Sequence, residues 1–321
     1  MIEIVALSDA MREVVRLAER VASTDANVLV TGESGAGKDA LARFIHARSL
    51  RRDGALVKID CAALPSELLE AELFGYERGA FTGATEARPG RLEAAHKGTL
   101  VLDEIAHLST DAQAKLLRVI EEREFERLGG RRTIKVDARL IALTNVDLDE
   151  AVRRRAFRED LFYRLNVMRL HVPPLRERRE DIGKLARIFL KTYATKHGRR
   201  VNGFAPDTLM ILKAYSWAGN VRELANTIER GVIVATETRM QATDLPEALR
   251  AAVLMEKRAE QRQTLAELEA DYISETLAAT GGNKSEAARL LGISRKNLYE
   301  KLARYGIVGS RQWAVGSKNK R

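Results

Sequence analysis

Along residues 1–172, short continuous apolar runs alternate with stretches whose apolar positions recur at helical spacing. The runs Asn27–Thr31, Leu56–Ile59, Thr99–Leu102 and Arg139–Leu143 are rich in Val, Ile and Leu. Runs of this kind mark strands with both faces buried. The stretch 110–121 places Leu116, Leu117 and Ile120 on one stripe and opens with Thr110 and Gln113 in capping-box spacing. Strands alternating with helices predict an α/β fold, a mostly parallel sheet covered on both faces.

From Pro173-Pro174 onward the strand signals fade. Residues 173–240 read as a smaller all-α domain with breaks at Gly198, Gly203–Pro206 and Ala218–Asn220. The chain then turns polar, charged and weakly patterned from 236, and residues 241–263 are expected to be a linker. A last helical unit spans 264–307 and opens on Thr264 and Glu267, again in capping-box spacing. Residues 308–321 are expected to be a disordered basic tail.

The chain has 321 residues, 45% hydrophobic and 31% charged, enough for two or three domains. No apolar run approaches the roughly 20 residues of a membrane span, so no membrane association is expected. The single cysteine, Cys61, excludes an internal disulfide framework, and the cytoplasm is the expected compartment. Of the net charge of +9, residues 281–321 carry +8, with ten Lys and Arg against Glu286 and Glu300. A nearly neutral body with a basic end points to a polyanionic partner, nucleic acid first.

The strand ending at Thr31 runs into Gly32, Glu33, Ser34, Gly35, Ala36, Gly37, Lys38 and Asp39, and then into a helix. That strand–loop–helix order suits a phosphate-binding loop: its backbone N–H groups and the helix N-terminus face phosphate, and Lys38 reaches the β- and γ-phosphates. Asp39 stands where such loops ordinarily carry Ser or Thr. The run Thr99–Leu102 ends in Asp103 and Glu104, a carboxylate suited to Mg²⁺ and one suited to polarising an attacking water. A further apolar run ends at Thr144-Asn145, whose amide suits the water or the γ-phosphate. Arg158 and Arg164 are either arginines that act on a neighbouring subunit's phosphates or surface arginines paired with Glu159 or Asp160.

In the basic end, residues 281–307 divide into two short helices around Gly292-Ile293. Ser285 is expected to cap the first, with Ala287, Ala288, Leu290 and Leu291 apolar. Ser294 is expected to cap the second, with Leu298 and Leu302 inward. This is helix-turn-helix spacing, and Lys284, Ser294, Arg295, Lys296, Asn297, Tyr299 and Lys301 are the DNA-contacting candidates.

The ordered series GESGAGKD, ELFGYERGAFTGA, KGTLVLDEI, FREDLFYRLNV, LRERREDI and WAGNVREL resembles the AAA+ domain of the sigma-54-dependent transcription activators, the bacterial enhancer-binding proteins. The resemblance covers about residues 4–235, and 281–307 resembles the Fis-like domain that follows in the same family. It implies an AAA+ P-loop NTPase with a helical lid and a helix-turn-helix, binding ATP and Mg²⁺, with Asp103 toward the metal. It makes Gly32–Asp39 the Walker A loop, where an acid after the lysine is common, Asp103 and Glu104 Walker B, and Asn145 part of sensor I. It makes Arg158 and Arg164 arginine fingers across a ring, usually a hexamer, and Arg222 sensor II. Gly79, Ala80, Phe81, Thr82, Gly83 and Ala84 form the loop that contacts sigma-54 of the RNA polymerase holoenzyme. Residues 265–280 are expected to dimerise the DNA-binding part on paired half-sites upstream of promoters.

One position departs from the family pattern. Asp60 stands where the family usually has an asparagine that holds the Walker B glutamate. An aspartate facing Glu104 needs a shared proton, a water or Mg²⁺ between them, so the ATPase switch is expected to be tuned differently. The resemblance begins almost at Met1, so either a separate regulatory protein controls the activator or a sensor module has been removed from the chain. Two other readings remain: a DNA-binding regulator that keeps the AAA+ fold without engaging sigma-54, and a remodelling ATPase or helicase of the wider superfamily.

Overall fold

The computed structural model describes residues 4–251, 253 and 265–307. The chain divides into two units, Met1–Val253 and Leu254–Arg321, each considered by itself.

In the first unit, helix α1 (Asp9–Ala22) is capped by Ser8, whose Oγ accepts from the Met11 N–H. Strand β1 (Val28–Thr31) leads into α2 (Lys38–Ala47). Then come β2 (Leu56–Asp60), α3 (Ser66–Phe74), the two-residue strands β3 (Gly75–Tyr76) and β4 (Arg88–Pro89), and α4 (Arg91–Ala94). Strand β5 (Thr99–Asp103) precedes α5 (Thr110–Glu122) and a hairpin of β6 (Glu124–Glu126) and β7 (Thr133–Lys135). Strand β8 (Arg139–Thr144), α6 (Leu148–Arg153), α7 (Glu159–Leu165) and β9 (Met168–His171) complete the α/β part.

The sheet order is β2-β5-β8-β1-β9, and every pairing is parallel. Alternation along each strand sends Leu100, Leu102, Leu140 and Ala142 to one core and Val101, Ile141 and Leu143 to the other. All four expected strands are present, each within a residue of its expected bounds. The edge strand β9 and the small hairpins were not foreseen: Met168–His171 interleaves Arg and His with its apolar residues, and it is a strand because it pairs with β1. Arg139, buried at the start of β8, donates to the carbonyls of Val21 (2.8 Å) and Ala22 (3.2 Å), which ties off the C-terminus of α1. Helix α5 is capped by Ser109 rather than Thr110: Ser109 has the extended backbone of a cap, and its Oγ accepts from the Ala112 N–H. Gln113 is buried instead and donates to the carbonyls of Leu108 and Ala156.

The helical part packs α8 (Arg179–Lys196), α9 (Pro206–Ala214) and α10 (Asn220–Val234) around Trp217, which is fully buried and donates to the Leu212 carbonyl. Asp181 of α8, also fully buried, accepts from the Ser8 N–H (3.0 Å) and the Ser8 hydroxyl (3.1 Å), which ties this part to the start of α1. The segment expected to become a linker at residue 241 instead joins this core through Leu245 and Leu249. Their irregular spacing from Met240 hid the pattern. Residues 252 and 254–263, the rest of that expected linker, lie outside the described residues, as do Thr264 and the tail 308–321.

The second unit consists of α11 (Leu265–Ala279), α12 (Lys284–Leu290) and α13 (Arg295–Arg304) around Ile273, Leu277, Ala287, Ala288, Leu298 and Leu302. Ser294 caps α13, accepting from the Asn297 N–H at 3.2 Å. Helix α12 is capped by Asn283, not Ser285: the Asn283 carboxamide accepts from the Ser285 and Glu286 N–H groups, and Ser285 already lies in the first turn. Of the apolar residues of α12, Ala287 and Ala288 are buried, whereas Leu290, its last residue, is exposed.

Candidate nucleotide site and interaction surfaces

The phosphate loop closes the C-terminal end of β1, where open parallel sheets bind ligands. Lys38, the first residue of α2, is buried and donates to the carbonyls of Gly32 (2.8 Å) and Glu33 (3.3 Å). It also lies 3.6 Å from Glu104. Glu104 has φ 53°, a left-handed conformation that is strained for a residue with a side chain. That turn lets its carboxylate face Lys38 on one side and accept the Asn145 N–H at 3.1 Å on the other. A cleft of about 490 Å³ is lined by the loop, Asp39, Asp60, Asp103, Glu104 and Arg222, within the usual size of a small-molecule site. An adjoining cavity of about 510 Å³ brings in Asn145, Ala218 and Gly219.

Lys58 is a residue that the sequence reading passed over. Its ammonium stands 2.7 Å from Asp103 and 2.9 Å from Asp39. Burial works against charge on both Lys58 and Asp39, but these contacts outweigh it, raising the pKa of Lys58. Asp39, which also accepts from Arg43, is held below the ordinary carboxylate value. Asp60 pairs with Asp103 in the β2–β5 register, and its carboxylate accepts the Ala62 N–H. The neighbouring Cys61 thiol is pushed up to about 12, by burial first and then by Asp60, Asp103 and Glu104.

Arg176 and Asn220 were also missed. Arg176 holds Glu33 with two bonds, of 2.6 and 2.9 Å, and Asn220 Nδ2 donates to the same carboxylate at 2.9 Å. Glu33 is pulled down to about 2 by Arg176 first and Asn220 second. Arg222 donates to the Ser34 hydroxyl at 2.9 Å, and the Val221 N–H to the Gly35 carbonyl at 3.0 Å. A Cβ on Gly35 would lie 2.4 Å from the Gly219 carbonyl oxygen, so glycine is what allows the helical part to close on the loop. Arg222 was expected at the nucleotide by family resemblance, whereas the grip of Arg176 and Asn220 on Glu33 was not, because these partners lie far apart in sequence.

Gly79–Ala84 does not stand out as an open strand of chain. It folds into a turn in which the Gly79 N–H donates to the Ala84 carbonyl (2.8 Å) and the Ala84 N–H to the Phe81 carbonyl (3.0 Å). Phe81 is 41% exposed and packs edge-on against Tyr76 at 5.0 Å. The turn rests on the β6–β7 hairpin: Glu77 and Leu128 are joined by a backbone bond, and a Cβ on Gly129 would lie 2.8 Å from that of Ala80.

Arg158 and Arg164 lie outside the cleft lining. Arg158 pairs with Asp160 at 2.7 Å, the surface pairing weighed above, and Arg164 pairs with Glu121 at 2.9 Å. In the second unit Arg295, Lys296, Asn297 and Tyr299 are exposed on α13, with the Lys284 ammonium 5.0 Å from the Tyr299 ring. Lys301 is engaged within the unit by Glu269 at 2.7 Å.

Three family models match the chain in order: the sigma-54 interaction domain over residues 4–171, an AAA+ ATPase lid domain over 176–262, and the Fis family of bacterial regulatory proteins over 264–305. The chain belongs to the sigma-54-dependent transcription activators. It is 46% identical over 308 residues to the regulatory protein AtoC of Escherichia coli, covering 94% of this chain and 67% of that protein. It is 48% identical over 297 residues to the transcriptional regulatory protein ZraR of Salmonella typhimurium, covering 92% and 67%. The structure of NtrX from Brucella abortus in complex with ATP superposes with a TM-score of 0.69 at 38% identity, covering 95% of this chain and 69% of that one. The activator therefore carries an AAA+ P-loop NTPase fold with a lid and a Fis-type helix-turn-helix, and its domain architecture is that of an ATP-binding protein with sigma-54 and DNA as partners. Among the described residues no helix is long and apolar enough to cross a membrane.

Proposed function

We propose that this activator hydrolyses ATP at the interfaces of an oligomeric ring, a hexamer by family resemblance, and uses it to remodel the RNA polymerase–sigma-54 closed promoter complex. The observation that carries the reading is the direct grip of the lid on the phosphate loop. Arg222 on Ser34, with Asn220 and Arg176 on Glu33, means that phosphate entering the loop must alter contacts the lid depends on. Glu104, held by Lys38 and the Asn145 N–H, orients the attacking water. Asp103, at the cleft wall beside Asp60 and Glu104, offers an oxygen ligand that fits Mg²⁺; there the ion would neutralise phosphate charge.

Arg158 and Arg164, outside their own chain's cleft, serve the neighbouring subunit. The Phe81-tipped turn presents Thr82 to sigma-54, and α13 enters the major groove upstream of promoters, with Arg295, Lys296, Asn297 and Tyr299 toward DNA. Helix α11 pairs two DNA-binding units, and a separate regulatory protein is a candidate controller.

Complementation tests the ring. Lys38→Ala and Arg158→Ala variants are each expected to be inactive alone. Random mixing leaves about one interface in four with both groups intact, so ATPase activity returns on mixing. No recovery would show that the arginine does not act across subunits.

A further inference from the structure

Lys58 has no part in the scheme above, yet it occupies a telling place. It projects from β2 on the same face as Asp60, and its ammonium lies within hydrogen-bond distance of both Asp39 and Asp103. Those carboxylates belong to the residue after the phosphate-loop lysine and to the acid at the neighbouring strand end, the two places from which phosphate-loop NTPases hold their divalent ion. With only 34% of its side chain exposed, Lys58 is not a solvated lysine that merely brushes the site. The wall it serves also carries Asp60 and Glu104, four carboxylates in one cleft. Lys38, the other lysine there, must also meet phosphate.

We propose that Lys58 is a built-in counter-cation that holds Asp39 and Asp103 together before loading and competes with the divalent ion for Asp103. On loading, its ammonium withdraws from Asp103 and stays on Asp39. Lys58 thus acts through Asp103 as a positioning residue and does not touch phosphate. The proposal rests on the ATPase reading of this cleft. Two effects of opposite sign follow from removing its charge. A divalent ion binds more tightly, because no ammonium has to be displaced. Nucleotide without metal binds more weakly, because its phosphates face uncompensated carboxylates.

The test uses the full chain with Lys58→Met and Lys58→Arg. Manganese affinity at saturating ADP is read by electron paramagnetic resonance, and ADP affinity in EDTA by fluorescence of a labelled ADP. For Lys58→Met, Mn²⁺ is expected to bind at least about fivefold tighter and metal-free ADP at least about fivefold weaker. Lys58→Arg, which keeps a cation, is expected to stay near the native values in both. A merely structural role would weaken both affinities together. Mn²⁺ binding by Lys58→Met that is unchanged or weaker, with ADP still bound, would overturn the proposal. Failure of the native chain to bind ADP at all would overturn the ATPase reading and this proposal with it. Should Lys58→Met not fold, Lys58→Gln carries the same comparison.

Discussion

Replacing Asn220 by alanine should destabilise the lid and uncouple it from the phosphate loop. Asn220 is fully buried, opens α10 at φ 55°, and accepts the buried Leu175 N–H at 2.7 Å. Its Nδ2 donates to Glu33 at 2.9 Å and to the Ser34 carbonyl at 3.1 Å. Loss of the acceptor leaves the Leu175 N–H without a partner, at about 1–3 kcal/mol. Alanine in the left-handed region adds about 1 kcal/mol, so the whole change is about 2–4 kcal/mol. Asn220→Gly relieves the backbone strain but not the orphaned N–H, and should lie about 1 kcal/mol closer to native. Equilibrium urea unfolding, followed by tryptophan fluorescence because Trp217 sits in the same core, reads all three proteins. A loss below about 0.5 kcal/mol for Asn220→Ala, the range of ordinary surface changes, would show that the Leu175 N–H does not depend on Asn220.

Other expectations follow from the same geometry. The Cys61 thiol, buried and raised to about 12, should resist a thiol reagent at neutral pH in the native chain and react at once in denaturant; fast native labelling would contradict its burial. Glu33 is depressed from 4.5 to about 2, so its lid contact contributes fully above 4.5 and is lost as pH falls toward 2. The stability difference between native and Glu33→Gln chains should therefore shrink over that window, and a difference that grows with acid would reverse the assignment. His46 is lowered from 6.5, by burial first and then by Arg139; as a base with a depressed pKa it costs stability as pH falls below 6.5. His46→Gln should flatten the pH dependence of melting just below 6.5. Arg295→Ala should weaken DNA binding and, if the contact is to phosphate, reduce the salt slope by about 1. An unchanged affinity would remove α13 from the interface.

How much of this was legible beforehand depended on whether the signal was local. Lys38, Asp103 and Glu104 were readable because a loop after a strand and acids at a strand end are contiguous patterns. Ser294 was readable for the same reason, as a cap directly before its helix. Lys58 was not, because its meaning arises only when β2 lies against β5 and faces the start of α2. Nor were Arg176 and Asn220, whose partner Glu33 lies 143 and 187 residues away. Caps were misplaced where two adjacent residues could serve, as with Ser109 over Thr110, since only backbone geometry decides between them. The turn at Gly79–Ala84 was legible in composition but not in shape, because its closure depends on Tyr76 and the β6–β7 hairpin.

In the proposed mechanism ATP chemistry drives the Phe81 turn against sigma-54. Capture of sigma-54 by the immobilised chain, with and without a transition-state mimic of ATP, tests it most directly. Capture is expected only with the mimic, and is expected to be lost in Thr82→Ala while ATP hydrolysis survives. Hydrolysis of ATP by the native chain without any capture of sigma-54 would contradict it and favour a regulator that keeps the ATPase fold for another purpose.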